Sequence, residues 1–321
     1  MAGLNRREFL AGAAAELSLA GCSRRPAGMA AGRERLVSVL RQPDYNQELY
    51  GELRRLLVQH RLPLRGKRVL LKPNLVEFEP SSPINTHPLL VHAALEAFRA
   101  MGAEVSIGEG PGHRRNTLDL AEAAGYFETI PHFEDLFTDL NLDQVTEVRL
   151  ARPHSRLQSI YLAQRALSCD LLVSMPKMKT HHWVGATLSM KNLFGTVSGG
   201  VYGWPKNILH CAGIPGCIAD LYHALPRHFA IVDGIVGMEG NGPIQGTPKR
   251  SGVVVAGRDL AAVDASCCQI MSIDPRRIEY LKLAVGDVEA LAESIHQIGE
   301  PLDIVRTRFN LLPEWSRIRL S

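Results

Sequence analysis

From residue 36 to residue 298 the chain alternates apolar runs of strand length with segments of helical period, and this alternation restricts the fold more than any single motif. Residues 36–40, 68–72, 104–107, 170–175, 229–232 and 252–256 read as strands. Residues 47–60 read as a helix with Leu49, Leu53, Leu56 and Leu57 on one stripe. A second helix over 86–101 takes Thr86 as its N-cap, carries Pro88 in its first turn and stops at Gly102. Residues 214–225, 260–271 (capped by Asp259), 278–285 and 288–298 complete the helical set. Between them, 117–125 is helical and 145–150 and 159–163 read as further strands. The expectation is an α/β fold, a mostly parallel sheet flanked by helices.

In such sheets ligands bind outside the carboxyl ends of the strands, where loops and helix starts gather. The residues at the ends of these strands are Lys72, Pro73 and Asn74; Glu109; 177–182; Asp233; and Asp259. Polar clusters embedded among glycines at five strand ends predict a ligand cleft along one edge.

The stretch 176–195, PKMKTHHWVGATLSMKNLFG, follows the apolar run 170–175 and is the densest of these clusters. Lys177 and Lys179 are two apart and share a face if the extended backbone continues past Pro176. Residues 183–194 show helical spacing, with Val184, Leu188 and Leu193 on one side. Lys72, Lys177, Lys179 and Lys191, assisted by that helix's N-terminus, make a candidate anion-binding surface, with Asn74, Thr180, Asn192 and Asn241 as polar neighbours. His181 and His182 are candidate proton carriers; as neighbours on a strand they point to opposite sides and do not ligate one metal. Lys179 and Asp233 join them as candidate catalytic groups.

Glu109, Asp233 and Glu239 supply oxygens for a candidate divalent cation, and the glycines of AIVDGIVGMEGNGPIQG allow the backbone to approach a ligand closely. Asp264 lies in the apolar pattern LAAVDASCC, so it is either exposed or matched to a lysine of the site. No Walker pattern and no C-x-x-C occurs, which removes specific support for a nucleoside triphosphate, a cysteine-ligated zinc or a ferredoxin-type iron-sulfur cluster. The cofactor itself is not named by the sequence.

The first residues read as an export signal. Asn5-Arg6-Arg7-Glu8-Phe9-Leu10 resembles a twin-arginine motif, and Leu19-Ala20-Gly21-Cys22 resembles a lipobox, with Glu16 the one charge in the apolar run between them. The expected organisation is a signal peptide over 1–21, a linker over 22–33 after a lipidated Cys22, and a single α/β domain over 34–321. It implies passage through the twin-arginine machinery and a lipid anchor at the cell envelope, periplasmic or on the outer face of the membrane. A formal net charge of +3 gives no reason to expect nucleic acid as a partner, so any positive potential is local. Of the remaining cysteines, Cys211 and Cys217 are close enough in sequence to pair, while adjacent Cys267 and Cys268 fit small core residues.

Taken together, KPNLV at Lys72, NTHP at Asn85, GEGPG at Gly108, the 176–195 block, IVDGIVGMEGNGP and AVDA at Ala262 resemble the bacterial and archaeal domain of unknown function 362 family. Some members of that family are iron-sulfur proteins, and the cysteine ladder that marks them has no counterpart here. The layout is also similar, without a continuous motif, to the nickel-dependent lactate racemases, whose members use lysine and histidine at an α/β cleft. The functional expectation is an exported enzyme acting on a small anionic molecule with metal assistance. The alternative is a lipid-anchored protein that binds a cofactor or solute without turning it over.

Overall fold

Apolar alternation along the central strands dictates a three-layer arrangement. In the strand that begins at His228, Phe229 and Ile231 enter one core cluster and Ala230 and Val232 the other. Residues 69–71 divide in the same way, as do 171–173. The period of two in a strand buried on both faces requires helices on each side. Helices Glu48–Gln59 and Pro88–Ala100 cover one face, and Ile214–Ala224 and Leu260–Ile270 the other.

The computed structural model describes residues 35–113, 116–225 and 227–320. Its strands are β1 (Arg35–Arg41), β2 (Arg68–Pro73), β3 (Glu104–Glu109), β4 (Phe137–Asp139), β5 (Val145–Arg149), β6 (Ser159–Ala163), β7 (Leu171–Met175), β8 (Lys177–His181), β9 (Gly185–Thr187), β10 (His228–Glu239), β11 (Thr247–Gly257) and β12 (Ile295–Gly299). The main sheet runs β12-β1-β11-β10-β7-β2-β3-β4, with β8 beside β10 and β9 beside β8; β5 and β6 form a separate hairpin. Pairing is parallel except at β1/β11, β10/β11 and β8/β9 within that sheet. The fold is therefore the expected mostly parallel α/β sheet flanked by helices. Residues Glu34–Ser321 form one compact unit.

Several local expectations give way to tertiary contacts. Residues 183–194 do not form one helix: Gly185–Thr187 is a strand paired to β8, and helix begins only at Ser189. Gly185 has φ +79, which turns the chain back into the hairpin. The anion surface thus receives no help from a helix starting at Trp183. Thr86 does not cap its helix. His87 does, accepting from Leu89 N, while the Thr86 hydroxyl donates to Met175 O at 2.5 Å and accepts from Asn74 N at 2.9 Å.

Asp233 is not at a strand end, because β10 continues to Glu239 through a register shift between Gly234 and Val236. Asp259 leaves the cleft altogether. β11 is antiparallel to β10, so its carboxyl end lies at the opposite edge, where Asp259 caps Leu260–Ile270 and accepts from Arg35 Nε at 2.6 Å. Residues 288–298 divide into helix Val288–Glu293 and edge strand β12. The cysteines at 211 and 217 are both free, while Cys267 and Cys268 are buried in the core. The export signal, Cys22 and the linker lie outside the described residues.

Candidate functional site

The β7–β8 junction places the basic residues. β7 is buried throughout beside β10 and β2; after Pro176 the chain stays extended as β8, still parallel to β10 through Asp233↔Lys177. Alternation then sends Lys177, Lys179 and His181 into one cavity of about 690 Å³, while Met178 enters the core and Thr180 turns away to donate to Gly240 O. From neighbouring strand ends come Lys72, Asn74 and Glu109, and from the helix Ser189–Asn192 come Lys191 and Asn192. Asn241 and His182 complete the expected set that lines the cavity.

Two lysines are neutralised inside the protein. Lys72 Nζ donates to Glu109 Oε2 at 2.6 Å and to Asn192 Oδ1 at 3.2 Å, with both ion-pair partners almost wholly buried. Lys177 Nζ donates to Asp233 Oδ2 at 2.5 Å and to the Tyr45 hydroxyl at 2.9 Å. Asp233 also accepts from Tyr45 O–H at 2.7 Å and from His87 N–H at 2.9 Å, so three donors hold it, and it does not line the cavity. Burial pulls both ammonium groups down from the ordinary lysine range, and the paired carboxylate in each case pulls back.

Three further lysines have no carboxylate partner among the described residues. Lys179 Nζ is held by oxygens alone: Asn74 Oδ1 at 2.8 Å, Ile84 O at 2.8 Å and Pro243 O at 3.2 Å. Burial, then repulsion from Lys177 and Lys191, drives it well below the usual lysine value. Lys206 Nζ donates to Gly110 O at 2.7 Å, and burial brings it down to about 7. Lys191 is likewise brought down to about 7 by burial and then by the charge of Lys72; its Nζ sits 3.6 Å from the centroid of the Phe194 ring. An anion entering this cavity meets three lysine side chains that no carboxylate among the described residues contacts directly.

The histidines are closer than strand alternation predicts. β8 ends at His181, the chain turns, and the two rings lie with centroids 4.9 Å apart, both on the cavity. His182 Nδ1 is 2.7 Å from Gly242 O; a carbonyl only accepts, so Nδ1 carries the proton and Nε2 keeps its lone pair. His181 Nδ1 accepts from Trp183 N–H at 3.0 Å, so in the neutral ring Nε2 carries the proton. Burial first, then Lys191, pushes His181 well below the usual histidine range. The adjacent imidazoles are therefore opposite tautomers, one offering a donor and one an acceptor.

The acidic residues do not assemble as expected. Glu109 serves Lys72, Asp233 serves Lys177, and Glu239 points elsewhere to accept from Asn310 N and Nδ2 and from Lys249. Among the described residues no three His, Cys, Asp or Glu side chains are grouped to hold a metal ion. Asp264 is neither exposed nor paired to lysine. It is buried and accepts from Ser189 N and Oγ, Met190 N and Tyr280 O–H, which fixes the start of the helix that bears Lys191.

Sequence reasoning missed Lys206, His113 and His210, all on the cavity, and Tyr45 and His87 behind it. Lys206 carries a weak signal, a lysine bracketed by Trp204, Pro205 and Ile208 after a glycine-rich connection. Tyr45 and His87 follow the carboxyl ends of β1 and β2, the positions that the strand-end rule marks, but neither lies directly after its strand.

The thylakoid-associated protein sll1697 of Synechocystis sp. (strain ATCC 27184 / PCC 6803 / Kazusa) is 28% identical over 285 residues, covering 86% of this chain and 87% of its own length. The lactate racemase apoprotein from Thermoanaerobacterium thermosaccharolyticum superposes with a TM-score of 0.41 at 14% identity. The match covers 74% of this chain and 57% of that one, and a likeness of this extent carries no functional argument. The 176–195 block and its cleft partners fall within residues 69–269, the span matched by the family described as a domain of unknown function (DUF362), and the chain belongs to that family.

Proposed function

We propose that the cleft binds a small anionic organic molecule and acts on it by proton transfer. One observation carries this reading: Lys179, Lys191 and Lys206 line one cavity without a carboxylate partner among the described residues. Burying ammonium groups without counter-charge is unfavourable, and an incoming anion supplies that charge. His182 Nε2 is the acceptor available as a base, and His181 Nε2–H is a donor to a developing negative charge. Lys72 and Lys177, already paired, stiffen the wall. The three acidic residues first considered as cation ligands do not converge, so no step is assigned to a metal held by them.

Calorimetric titration with sulfate, and with a panel of organic carboxylates and phosphates, tests the binding. Micromolar to millimolar affinity that falls on Lys179→Met is expected, and no detectable binding to the panel would remove the proposal. Substituting His181 and His182 by Gln separates enzyme from binder. Retained affinity with lost turnover supports an enzyme, while wild-type protein that binds without turnover supports the non-catalytic alternative.

We also propose export and lipid anchoring at Cys22, supported by the order of Asn5-Arg6-Arg7-Glu8-Phe9-Leu10 and Leu19-Ala20-Gly21-Cys22. Replacing Arg6 and Arg7 by Lys is expected to leave the protein unexported; continued membrane fractionation of the variant would oppose this.

A further inference from the structure

We infer that Lys191 is a nucleophilic amine that forms a Schiff base with an anionic carbonyl compound, a 2-oxo carboxylate with an apolar body, in this cleft. The inference rests on the anion-binding reading above and goes further by naming the ligand class and the reacting atom.

Lys191 differs from its four cavity neighbours in what its amine touches. Lys72, Lys177, Lys179 and Lys206 all donate to protein oxygens, which commits their nitrogen geometry. Among the described residues Lys191 Nζ has no hydrogen-bond or ion-pair partner and lies against the face of Phe194. Its backbone is nonetheless held firmly. Asp264 anchors Ser189 and Met190 on one side, and Asn192 Nδ2 donates to Lys72 O at 3.0 Å and Ser174 Oγ at 3.1 Å on the other. A short helix anchored at both ends thus presents one uncommitted amine to the cavity.

The surroundings favour the neutral amine, since burial and the nearby Lys72 charge bring it down to about 7. The ligand class follows from the rest of the cavity. Lys179 and Lys206 supply charge for a carboxylate, while Val76, Trp183, Leu209, Ile244 and Leu312 line the cavity with apolar surface. A volume of about 690 Å³ exceeds what an inorganic anion fills and suits a ligand with an apolar body.

The step balances without an oxidant or reductant. The Nζ lone pair forms a bond to the carbonyl carbon as the C=O π pair moves onto oxygen, which takes a proton. The nitrogen loses a proton, the hydroxyl takes a second one, and the nitrogen lone pair closes the C=N bond as the C–O bond breaks and water leaves, giving an iminium with net uptake of one proton. Lys206, also brought down to about 7, is an acid of suitable strength in the same cavity.

Incubating the folded protein with phenylpyruvate or pyruvate and sodium cyanoborohydride, followed by intact and peptide mass spectrometry, tests this. One reduced adduct per chain, mapped to Lys191, is expected, with a trapping rate that rises around pH 7 rather than in the ordinary lysine range. Lys191→Arg keeps a cation but cannot form the imine, and should lose at least about ninety per cent of the adduct while melting within a few degrees of wild type. If Lys191→Arg is unfolded, the wild-type peptide map and pH profile decide alone. Adducts spread over surface lysines, or sulfate binding in wild-type protein without any trapped oxo acid, would overturn this inference and leave the anion site standing. Absence of binding by sulfate and oxo acids alike would overturn both.

Discussion

Gly195 is the residue that allows Glu109 to reach Lys72: a Cβ at Gly195 would overlap Glu109 Oε1 and lie 2.6 Å from Lys72 Nζ. The chain is thus closed over a buried ion pair with no room for a methyl group, although Gly195 itself needs no left-handed backbone. Glu109 Oε1 is further held by Gly110 N–H at 2.8 Å, so the carboxylate has nowhere to move.

Gly195→Ala is therefore expected to act like removal of an ion-pair partner. Breaking a buried pair leaves an uncompensated charge and typically destabilises by roughly 3–5 kcal/mol. Glu109→Ala should fall in that range and Gly195→Ala close to it, both read from chemical denaturation. A loss below about 1 kcal/mol for Gly195→Ala would mean that the pair can relocate.

Anion binding should be linked to proton uptake. Below about pH 7 Lys191 and Lys206 already carry their protons, so sulfate affinity is flat. Above it the empty cavity holds neutral amines, and each must gain a proton for its charge to serve the anion. Apparent affinity then falls by up to about tenfold per pH unit for each coupled amine. Calorimetry at pH 8 in buffers of differing ionisation enthalpy should show proton uptake, absent at pH 6.

Much of this arrangement was legible in the sequence because period two survives burial. Lys177, Lys179 and His181 reach the cavity as their spacing demands. What was not legible depends on contacts between distant segments. Nothing local distinguishes Gly185–Thr187 from a helix turn; pairing to β8 decides it. The direction of β11 is set by its hairpin with β10, and this alone removes Asp259 from the site. The partners of Asp233 and Asp264 were equally hidden: Tyr45 and His87 lie 188 and 146 residues from Asp233, and Ser189 lies 75 from Asp264.

Asp264 gives a pH signature of its own. Burial raises its carboxyl to about 7, opposed by the hydrogen bonds from Ser189 and Met190. An acid raised above its unfolded value binds its proton more tightly when folded. Its contribution is therefore fully present below the unfolded carboxylate range and is lost as pH rises through about 7. The difference in unfolding free energy between wild type and Asp264→Asn should change across pH 4 to 7 and be constant above about 8. A pH-independent difference would place the Asp264 titration outside that window.

The two histidines provide the most direct test of the cavity's polarity. His182 Nδ1 faces a carbonyl and His181 Nδ1 faces an amide N–H, so the backbone assigns them opposite tautomers without reference to any ligand. Long-range 1H–15N correlation spectra at pH 7 should show His182 protonated at Nδ1 and His181 at Nε2. Because burial and Lys191 hold His181 well below the usual histidine range, its signals should stay those of a neutral ring through the pH interval in which an exposed histidine titrates. Lys191→Met removes one of those causes and should move the His181 titration upward, whereas His182 keeps its tautomer because Gly242 O is untouched. Identical tautomers at the two positions would mean that the turn after β8 does not hold the rings in these orientations, and the donor and acceptor roles assigned to them would fall together.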